Sequence, residues 1–125
     1  MQNSGRYIRK AEDGDRKQMI PVKTRLKGML GFAMRAGKLI IGTELVCRAM
    51  ASRTSAPKLV VISASASLGT KKKLTSKCEF YGIKLVQINM STDQLGDLLG
   101  KTYSPAVLGI TDEGFAREIE KAAED

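Results

Sequence analysis

Residues 58–82 have the sequence KLVVISASASLGTKKKLTSKCEFYG, and this stretch decides the fold class. Residues 58–62 are rich in β-branched side chains, which predicts a buried strand. Small residues over 63–69 predict a loop, and residues 70–81 have the apolar spacing of a helix, which Gly82 is placed to end. The predicted inner face of this helix consists of Leu74, Cys78 and Tyr81. The stretch therefore predicts a strand, a loop and a helix in succession.

The same alternation continues upstream of this stretch. After Pro21, apolar residues recur at helical spacing and predict a first helix, which Gly37 closes. Residues 39–41 predict a short buried strand that ends at Gly42, and Thr43 is expected to cap a second helix. The apolar residues of this second helix are Leu45, Val46, Ala49 and Met50.

Two more strands and two more helices are predicted downstream. Residues 83–88 and 106–111 have strand character. Ser91 and Gln94 have the spacing of a capping box at a helix start, and Asp112 starts the last helix. Because helices alternate with strands, we expect a largely parallel or mixed sheet that helices cover on both faces.

The length and composition indicate one domain and exclude several function classes. A chain of 125 residues supports one core, and the absence of His excludes histidine-based catalysis. Cys47 and Cys78 lack the close spacing of redox or zinc sites, so we expect free, mostly buried thiols, no metal and no cofactor. Residues 1–22 are expected to be a basic, flexible extension, and residues 23–125 the single domain.

Positive charge is concentrated in the middle of the chain. The whole chain has a net charge of +8, and residues 23–90 alone contain 13 basic and 2 acidic residues. A folded domain can gather such charge on one face, which indicates an acidic partner, with nucleic acid the first choice and an anionic membrane surface the second. No apolar run is long enough to span a bilayer, so we expect a cytoplasmic protein with no membrane partner.

Three consecutive lysines are the first candidates for contact with a polyanion. Lys71, Lys72 and Lys73 are predicted in the first turn of a helix, where cations oppose the helix dipole. A bound polyanion explains this placement. The alternative is a solvated basic face whose repulsion is screened by salt.

The turn between the strand at 39–41 and the next helix is the second candidate. Gly42, Thr43 and Glu44 present backbone N–H groups at a helix start, with Lys38 and Arg48 nearby in sequence. The arrangement suits an anion. The alternative is that Thr43 caps the helix and Glu44 complements its dipole, with no ligand.

The loop before the last strand is the third candidate. It combines a positive charge with an aromatic ring, which can pack on an unstacked base. The alternative is an ordinary connection whose ring packs on the core. The contact residues are Lys101, Tyr103, Ser104, Pro105 and Ala106.

Several short motifs follow one another in a fixed order over residues 23–120. They are Gly37-Lys38, Gly42-Thr43 with Arg48, KLVVI at 58–62 with the small-residue loop, Lys77-Cys78, Leu95-Gly96 with Gly100-Lys101, and ITDEGFA at 110–116. Together they resemble the ribosomal protein L7Ae/L30e superfamily, and most closely its small bacterial members.

The resemblance implies a three-layer α/β/α sandwich around a four-stranded mixed sheet. It also implies binding to kink-turn RNA, a sharply bent duplex with tandem sheared G·A pairs. In that family the strand-end glycine and the start of the next helix meet the G·A pairs, and the loop before the last strand covers a flipped-out base. These roles fall here on Lys38, Gly42, Thr43, Glu44, Arg48 and residues 101–106.

The chain departs from the family pattern at two positions. The common Asn-Glu after the Gly-Thr pair is replaced by Glu44-Leu45, so the carboxylate comes one position early and the amide is missing. Ser65 replaces an acidic residue in the small-residue loop, which should favour phosphate contact.

From these features we predict a ribosomal-protein-like, kink-turn-type RNA-binding protein of the translation machinery, monomeric and without catalysis, with the ribosome as a candidate partner. An enzyme is the first alternative, but no carboxylate, Cys or Lys lies in a recognisable catalytic constellation. The second alternative is a protein-interaction adaptor that presents its acidic C-terminal helices to a basic partner.

Overall fold

The computed structural model describes residues 22–124, so the predicted extension over residues 1–22 lies outside the described residues except for Val22. Helices and strands alternate along the described chain, as the sequence predicts. In chain order they are α1 Val22–Arg35, β1 Leu39–Ile41, α2 Thr43–Met50, β2 Leu59–Ser63, α3 Leu68–Tyr81, β3 Lys84–Ile88, α4 Thr92–Leu99, β4 Val107–Ile110 and α5 Glu113–Glu124.

The four strands form one mixed sheet in the order β1-β4-β2-β3. β2 is parallel to β3, and β4 is antiparallel to both β1 and β2. In the centre of the sheet, Val61 lies opposite Val86 on one side and Leu108 on the other. The prediction of a mixed sheet is confirmed.

Strand β2 joins two separate hydrophobic cores, because alternate side chains of a strand point to opposite faces. Leu59 and Val61 pack in a core with α1, α4 and α5. Val60 and Ile62 pack in a second core with α2 and α3. All four side chains are at most 2% exposed. The helices therefore cover both faces of the sheet, and the three-layer α/β/α sandwich is confirmed.

The ends of α3 and α4 and the starts of α4 and α5 follow the predicted signals. Gly82 adopts the left-handed conformation, with φ of 70°, at the end of α3, and Gly100 does so with φ of 68° after α4. Ser91 and Gln94 form the predicted capping box. A carboxylate oxygen of Asp112 accepts a hydrogen bond of 2.9 Å from the backbone N–H of Phe115 and so caps α5.

Two burial predictions, those for β1 and Tyr81, are wrong, and the apolar Leu45 of α2 is exposed. β1 is an edge strand that pairs only with β4, so its side chains are half-buried and not fully buried. Leu45 is 51% exposed, because it lies about 100° around α2 from the buried Val46. Tyr81 is 39% exposed, because it is the last residue of α3 and its ring packs edge-on against the exposed Phe80 and not in the core.

The expected thiols are confirmed. Cys47 is half-buried, Cys78 is buried, and both are free. Burial raises the pKa of the Cys78 thiol to about 11, with the neighbouring Cys47 as a smaller cause. Over the described residues, no helix is long and apolar enough to cross a bilayer, and no cluster of His, Cys, Asp or Glu side chains is suited to a metal.

Candidate nucleic-acid interface

One edge of the sheet gathers the segments that the sequence singles out. β1, β2 and β3 run in the same direction, so their carboxyl ends meet at the edge where β4 begins. Two backbone hydrogen bonds of 2.9 Å close this edge, from Gly42 N–H to the Val107 carbonyl and from Ser63 N–H to the Ala106 carbonyl. We call this edge the strand-end surface; it comprises residues 42–44, 63–67, 89–93 and 101–106.

The start of α2 differs from the prediction. Thr43 is the first residue of the helix, and Gly42 occupies the N-cap position with φ of 110° and ψ of 147°. Glycine has no side chain, so no side-chain hydrogen bond caps this helix, and the prediction that Thr43 caps it is wrong. The first intrahelical bond runs from Val46 N–H to the Gly42 carbonyl, at 3.0 Å. The earlier N–H groups are therefore left to meet solvent or a ligand.

The loop after β2 is tied to the segment after β3. The buried Ser63 hydroxyl donates a hydrogen bond of 2.6 Å to the Met90 carbonyl. The same oxygen accepts one of 3.1 Å from Ser65 N–H, and the Ser65 hydroxyl accepts one of 3.0 Å from Thr92 N–H. Ser65 thus has a structural role at the start of α4. This network fixes two loops of the strand-end surface relative to each other.

The three lysines are not equivalent. Helix α3 begins at Leu68 and is capped by Ser67, two residues earlier than predicted, so the lysines lie in its second turn and the prediction of the first turn is wrong. The Lys71 ammonium donates a hydrogen bond of 2.8 Å to the Ala64 carbonyl. Lys72 and Lys73 are exposed. The opposing helix dipole is weaker in the second turn, which reduces the cost of placing cations there.

The loop at 101–106 is held against α4. The Ser104 hydroxyl donates a hydrogen bond of 2.6 Å to a carboxylate oxygen of Asp93. A Cβ atom added to Gly96 would lie 2.5 Å from the Tyr103 carbonyl oxygen, so only glycine allows this approach. Pro105 is buried, whereas Tyr103 is 53% exposed. The ring therefore does not pack on the core, and that alternative is excluded.

Of the remaining predicted site residues, Glu44 and Arg48 lie on α2, whereas Lys38 precedes β1. Glu44 is exposed in the first turn of α2, and Arg48 is exposed about 6 Å further along the helix. Lys38 lies just before the start of β1, at the end of the strands opposite to the strand-end surface, and its carbonyl accepts a hydrogen bond of 2.9 Å from Thr111 N–H. Lys38 is therefore about 13 Å from Gly42 along β1 and is not brought into the strand-end surface.

Four further residues lie within or next to this surface and were not predicted as site residues. Leu45 and Leu68, the latter 71% exposed, put apolar side chains at the starts of α2 and α3. Asp93 and Gly96 hold the loop at 101–106. An apolar residue in the first turn of a helix is the only sequence signal for the two leucines. The contacts of Asp93 with Ser104 and of Gly96 with Tyr103 join segments that are separate in the sequence, so no local signal predicts them.

The comparisons with known proteins agree with this fold. Residues 24–120 match the model of the ribosomal protein L7Ae/L30e/S12e/Gadd45 family. RNA-binding protein YlxQ of Bacillus subtilis is 36% identical over 91 residues, which cover 73% of this chain and 87% of that protein. Large ribosomal subunit protein eL30 of Sulfolobus acidocaldarius is 31% identical over 94 residues, covering 75% and 88% of the two chains.

Two solved structures are also similar. A Bacillus halodurans protein described as having unknown function superimposes with a TM-score of 0.73 and 33% identity, over 81% of this chain and 98% of that one. The Giardia lamblia 15.5kD RNA binding protein superimposes with a TM-score of 0.67 over 90% and 95% of the two chains. At 16% identity, this second likeness concerns the fold alone.

Proposed function

The chain belongs to the ribosomal protein L7Ae/L30e/S12e/Gadd45 family, and on that premise we propose that it is a non-catalytic RNA-binding protein that recognises kink-turn or similarly bent structured RNA. The observation that carries the proposal is the convergence, at the strand-end surface, of the uncapped start of α2 and the loop that presents Tyr103. A relative named for RNA binding supports the same function.

The start of α2 recognises the bend. Its unpaired N–H groups and the positive end of its dipole suit a phosphate or the acceptor edge of a base. Gly42 has no Cβ, so the RNA backbone can approach these groups closely. Glu44 supplies a carboxylate that accepts hydrogen bonds from guanine edges, from a position one residue before that of the family's usual glutamate.

The loop at 101–106 contacts an unstacked base. A bend in an RNA duplex leaves bases without neighbours, and such bases pack on exposed aromatic rings. Tyr103 is suitably exposed, and the contacts of Ser104 with Asp93 and of Tyr103 with Gly96 fix the loop before RNA arrives. A fixed loop loses little conformational entropy on binding.

Lysine and arginine side chains around this surface neutralise phosphates. Lys72, Lys73, Arg48 and Lys101 are exposed, and none of them forms an ion pair with another residue that the structure describes. Such contacts add affinity that falls steeply with salt and is nearly independent of base sequence.

A competition experiment tests the proposal. A kink-turn RNA and a control duplex that lacks the G·A pairs are titrated with the protein at several salt concentrations. We expect the kink-turn to bind more tightly at every salt concentration, and both affinities to fall with salt. Because a relative is a ribosomal subunit protein, ribosomal RNA is the first natural source of kink-turns to test. Equal affinity for the two RNAs contradicts kink-turn recognition, and salt-independent binding to protein partners alone favours the adaptor.

A further inference from the structure

The side of α3 that points away from the core is exposed over its whole length. Helical spacing places five residues on this side, and each of them is exposed; we call this surface the α3 outer face. Its residues are Gly69, Lys72, Lys73, Ser76 and Phe80. The buried Leu74 and Cys78 lie on the opposite side and anchor the helix to the sheet.

Phe80 is the most exposed large apolar side chain among the described residues, with 81% of its surface accessible. Its ring meets that of Tyr81 edge-on, with the centroids 4.9 Å apart and an angle of 89° between the planes. This T-shaped contact favours one orientation of the Phe80 ring. The result is an oriented aromatic platform at the C-terminal end of α3.

The charges beside this platform are mostly positive. Lys73 precedes Phe80 by seven residues, which places both on the same side of α3, about 10 Å apart along the helix axis. Lys72 lies on the same face and Lys77 at its border, whereas Glu79 is the only acidic residue of the helix. Among the described residues, none of these three lysines has an ion-pair partner.

A basic surface that ends in an exposed aromatic ring suits a single-stranded nucleic acid. Phosphates meet the lysines, and a base stacks on the ring. A base inside a duplex is already stacked on both faces, so the ring is available only to an unpaired base. The α3 outer face starts at the strand-end surface and ends about 18 Å from it, so an RNA strand bound at the first can continue along the second.

We propose that the α3 outer face binds a single-stranded RNA segment that flanks the structured RNA, with one unpaired base stacked on Phe80. This proposal rests on the proposed RNA-binding function and extends its footprint. The preferred RNA is then a bent duplex with a single-stranded extension, rather than the bent duplex alone.

The first test compares RNAs with and without the extension. The minimal kink-turn and two versions carrying about six extra unpaired nucleotides, at the 5′ or the 3′ end, are titrated with the wild type, with Phe80→Ala and with Phe32→Ala. Phe32 is the matched control, because its ring is also exposed, at 54%, but lies on α1 in the opposite layer. Thermal melting checks that both variants remain folded.

We expect one of the extended RNAs to bind the wild type more tightly than the minimal RNA does. Phe80→Ala should weaken binding of that RNA by about 5- to 150-fold, since each stacked base contributes on that order. The same variant should bind the minimal RNA unchanged, and Phe32→Ala should behave as the wild type with all RNAs. Equal effects of Phe80→Ala and Phe32→Ala on the extended RNAs overturn the proposal.

The second test detects the stacked base directly. The chain contains no Trp, so Phe80→Trp introduces a single tryptophan, which can be excited at a wavelength that the three tyrosines do not absorb, and Phe32→Trp provides the control. A single-stranded RNA oligonucleotide without any duplex should quench the fluorescence of Phe80→Trp and leave that of Phe32→Trp unchanged. No quenching of Phe80→Trp overturns the proposal, and if an acidic protein quenches it instead, the α3 outer face is a protein-docking surface.

The two tests separate this proposal from the proposed function. If the minimal kink-turn binds no better than a straight duplex but Phe80→Trp is quenched by the oligonucleotide, kink-turn recognition fails and the single-strand site stands. If the minimal kink-turn is discriminated but the extension has no effect, the proposed function stands and the single-strand site is overturned.

Discussion

Gly96 of α4 lies directly against the carbonyl oxygen of Tyr103, so closely that a Cβ atom on Gly96 would be 2.5 Å from that oxygen. The contact joins a helix to the loop that presents the Tyr103 ring. Because the opposing atom belongs to the backbone, no side-chain rotation can relieve an added methyl group. The loop conformation therefore depends on a buried residue of α4 that lies outside the loop itself.

Gly96→Ala should displace the loop at 101–106 and weaken kink-turn binding. The added methyl group forces the loop away from α4, which we expect to reduce stability by about 1–3 kcal/mol as an overpacked contact does. Thermal melting and RNA titration measure the two effects. Gly28→Ala is the control, since Gly28 is also helical but has no atom within 4 Å of its added Cβ. If the loop of Gly96→Ala is displaced and the variant still binds RNA with full affinity, the loop has no role in binding.

Replacing Lys72 and Lys73 together by Gln should weaken binding to a kink-turn and to a plain duplex by similar factors. These exposed lysines would meet phosphates and carry no base information, so the slope of log affinity against log salt should also become flatter. Filter binding over a salt series measures this. Replacing Arg117 and Lys121 of α5 together by Gln is the charge-matched control in the opposite layer. An unchanged slope removes the two lysines from the interface.

Lys71→Gln should behave differently from the other two lysine substitutions. Its ammonium holds the Ala64 carbonyl at 2.8 Å, so its loss should lower stability by about 1 kcal/mol and loosen the loop after β2. The RNA salt slope should stay close to that of the wild type. A flattened slope with unchanged stability would show that Lys71 leaves the carbonyl and contacts phosphate.

Gly42→Val should reduce both stability and RNA binding. With φ of 110°, the backbone is strained for any residue with a Cβ atom, at a cost on the order of 1–3 kcal/mol. The added side chain would also stand between the helix N–H groups and the RNA. Gly37→Val is the control for strain, because φ there is 72° and the added Cβ likewise meets open space. If both variants retain full affinity, Gly42 has no part in binding.

Glu44→Gln distinguishes the two roles of Glu44. If the carboxylate accepts hydrogen bonds from guanine, the variant should lose about 1–3 kcal/mol of discrimination between the kink-turn and the control duplex. If Glu44 only complements the dipole of α2, the variant should melt slightly earlier and keep its discrimination. Competition binding beside a melting curve separates these outcomes.

The buried thiol gives a dependence of stability on alkaline pH. Unfolded Cys78 loses its proton near its ordinary pKa of 9.0, whereas the folded residue keeps it to about 11. Proton loss therefore favours the unfolded state, and the stabilisation present below pH 9 should be lost between pH 9 and 11. Denaturant titrations should show a steeper fall for the wild type than for Cys78→Ala. Parallel curves would contradict the raised pKa.

Much of the fold was predictable because its signals are local. The β-branched run at 58–62 predicts a strand, and its alternation with helices predicts a sheet that helices cover on both faces. The capping box of Ser91 and Gln94 and the left-handed Gly82 also depend on neighbouring residues alone. The start of α3 was misplaced by two residues, because Gly69 is a poor helix former and was assigned with the small residues before it to a loop.

The candidate site was predicted less well than the fold. The start of α2 and the loop at 101–106 follow from strand order, since both adjoin strand ends at one edge of the sheet. The role of Thr43 was mistaken because the helix begins at that residue and leaves glycine in the cap position. Whether a lysine is free to contact RNA depends on whether its ammonium is already bonded to another group of the folded chain, as that of Lys71 is to the Ala64 carbonyl.

By itself, the amino-acid sequence determined the alternation of helices and strands, the two-sided burial of β2 and the basic character of the middle of the chain. These follow from residue spacing and composition. Only the tertiary structure decided that Lys71 bonds to Ala64 and that Gly96 supports Tyr103. The physical reason is that hydrogen bonds and close contacts act over about 3 Å, so they depend on how distant segments pack and not on local propensity.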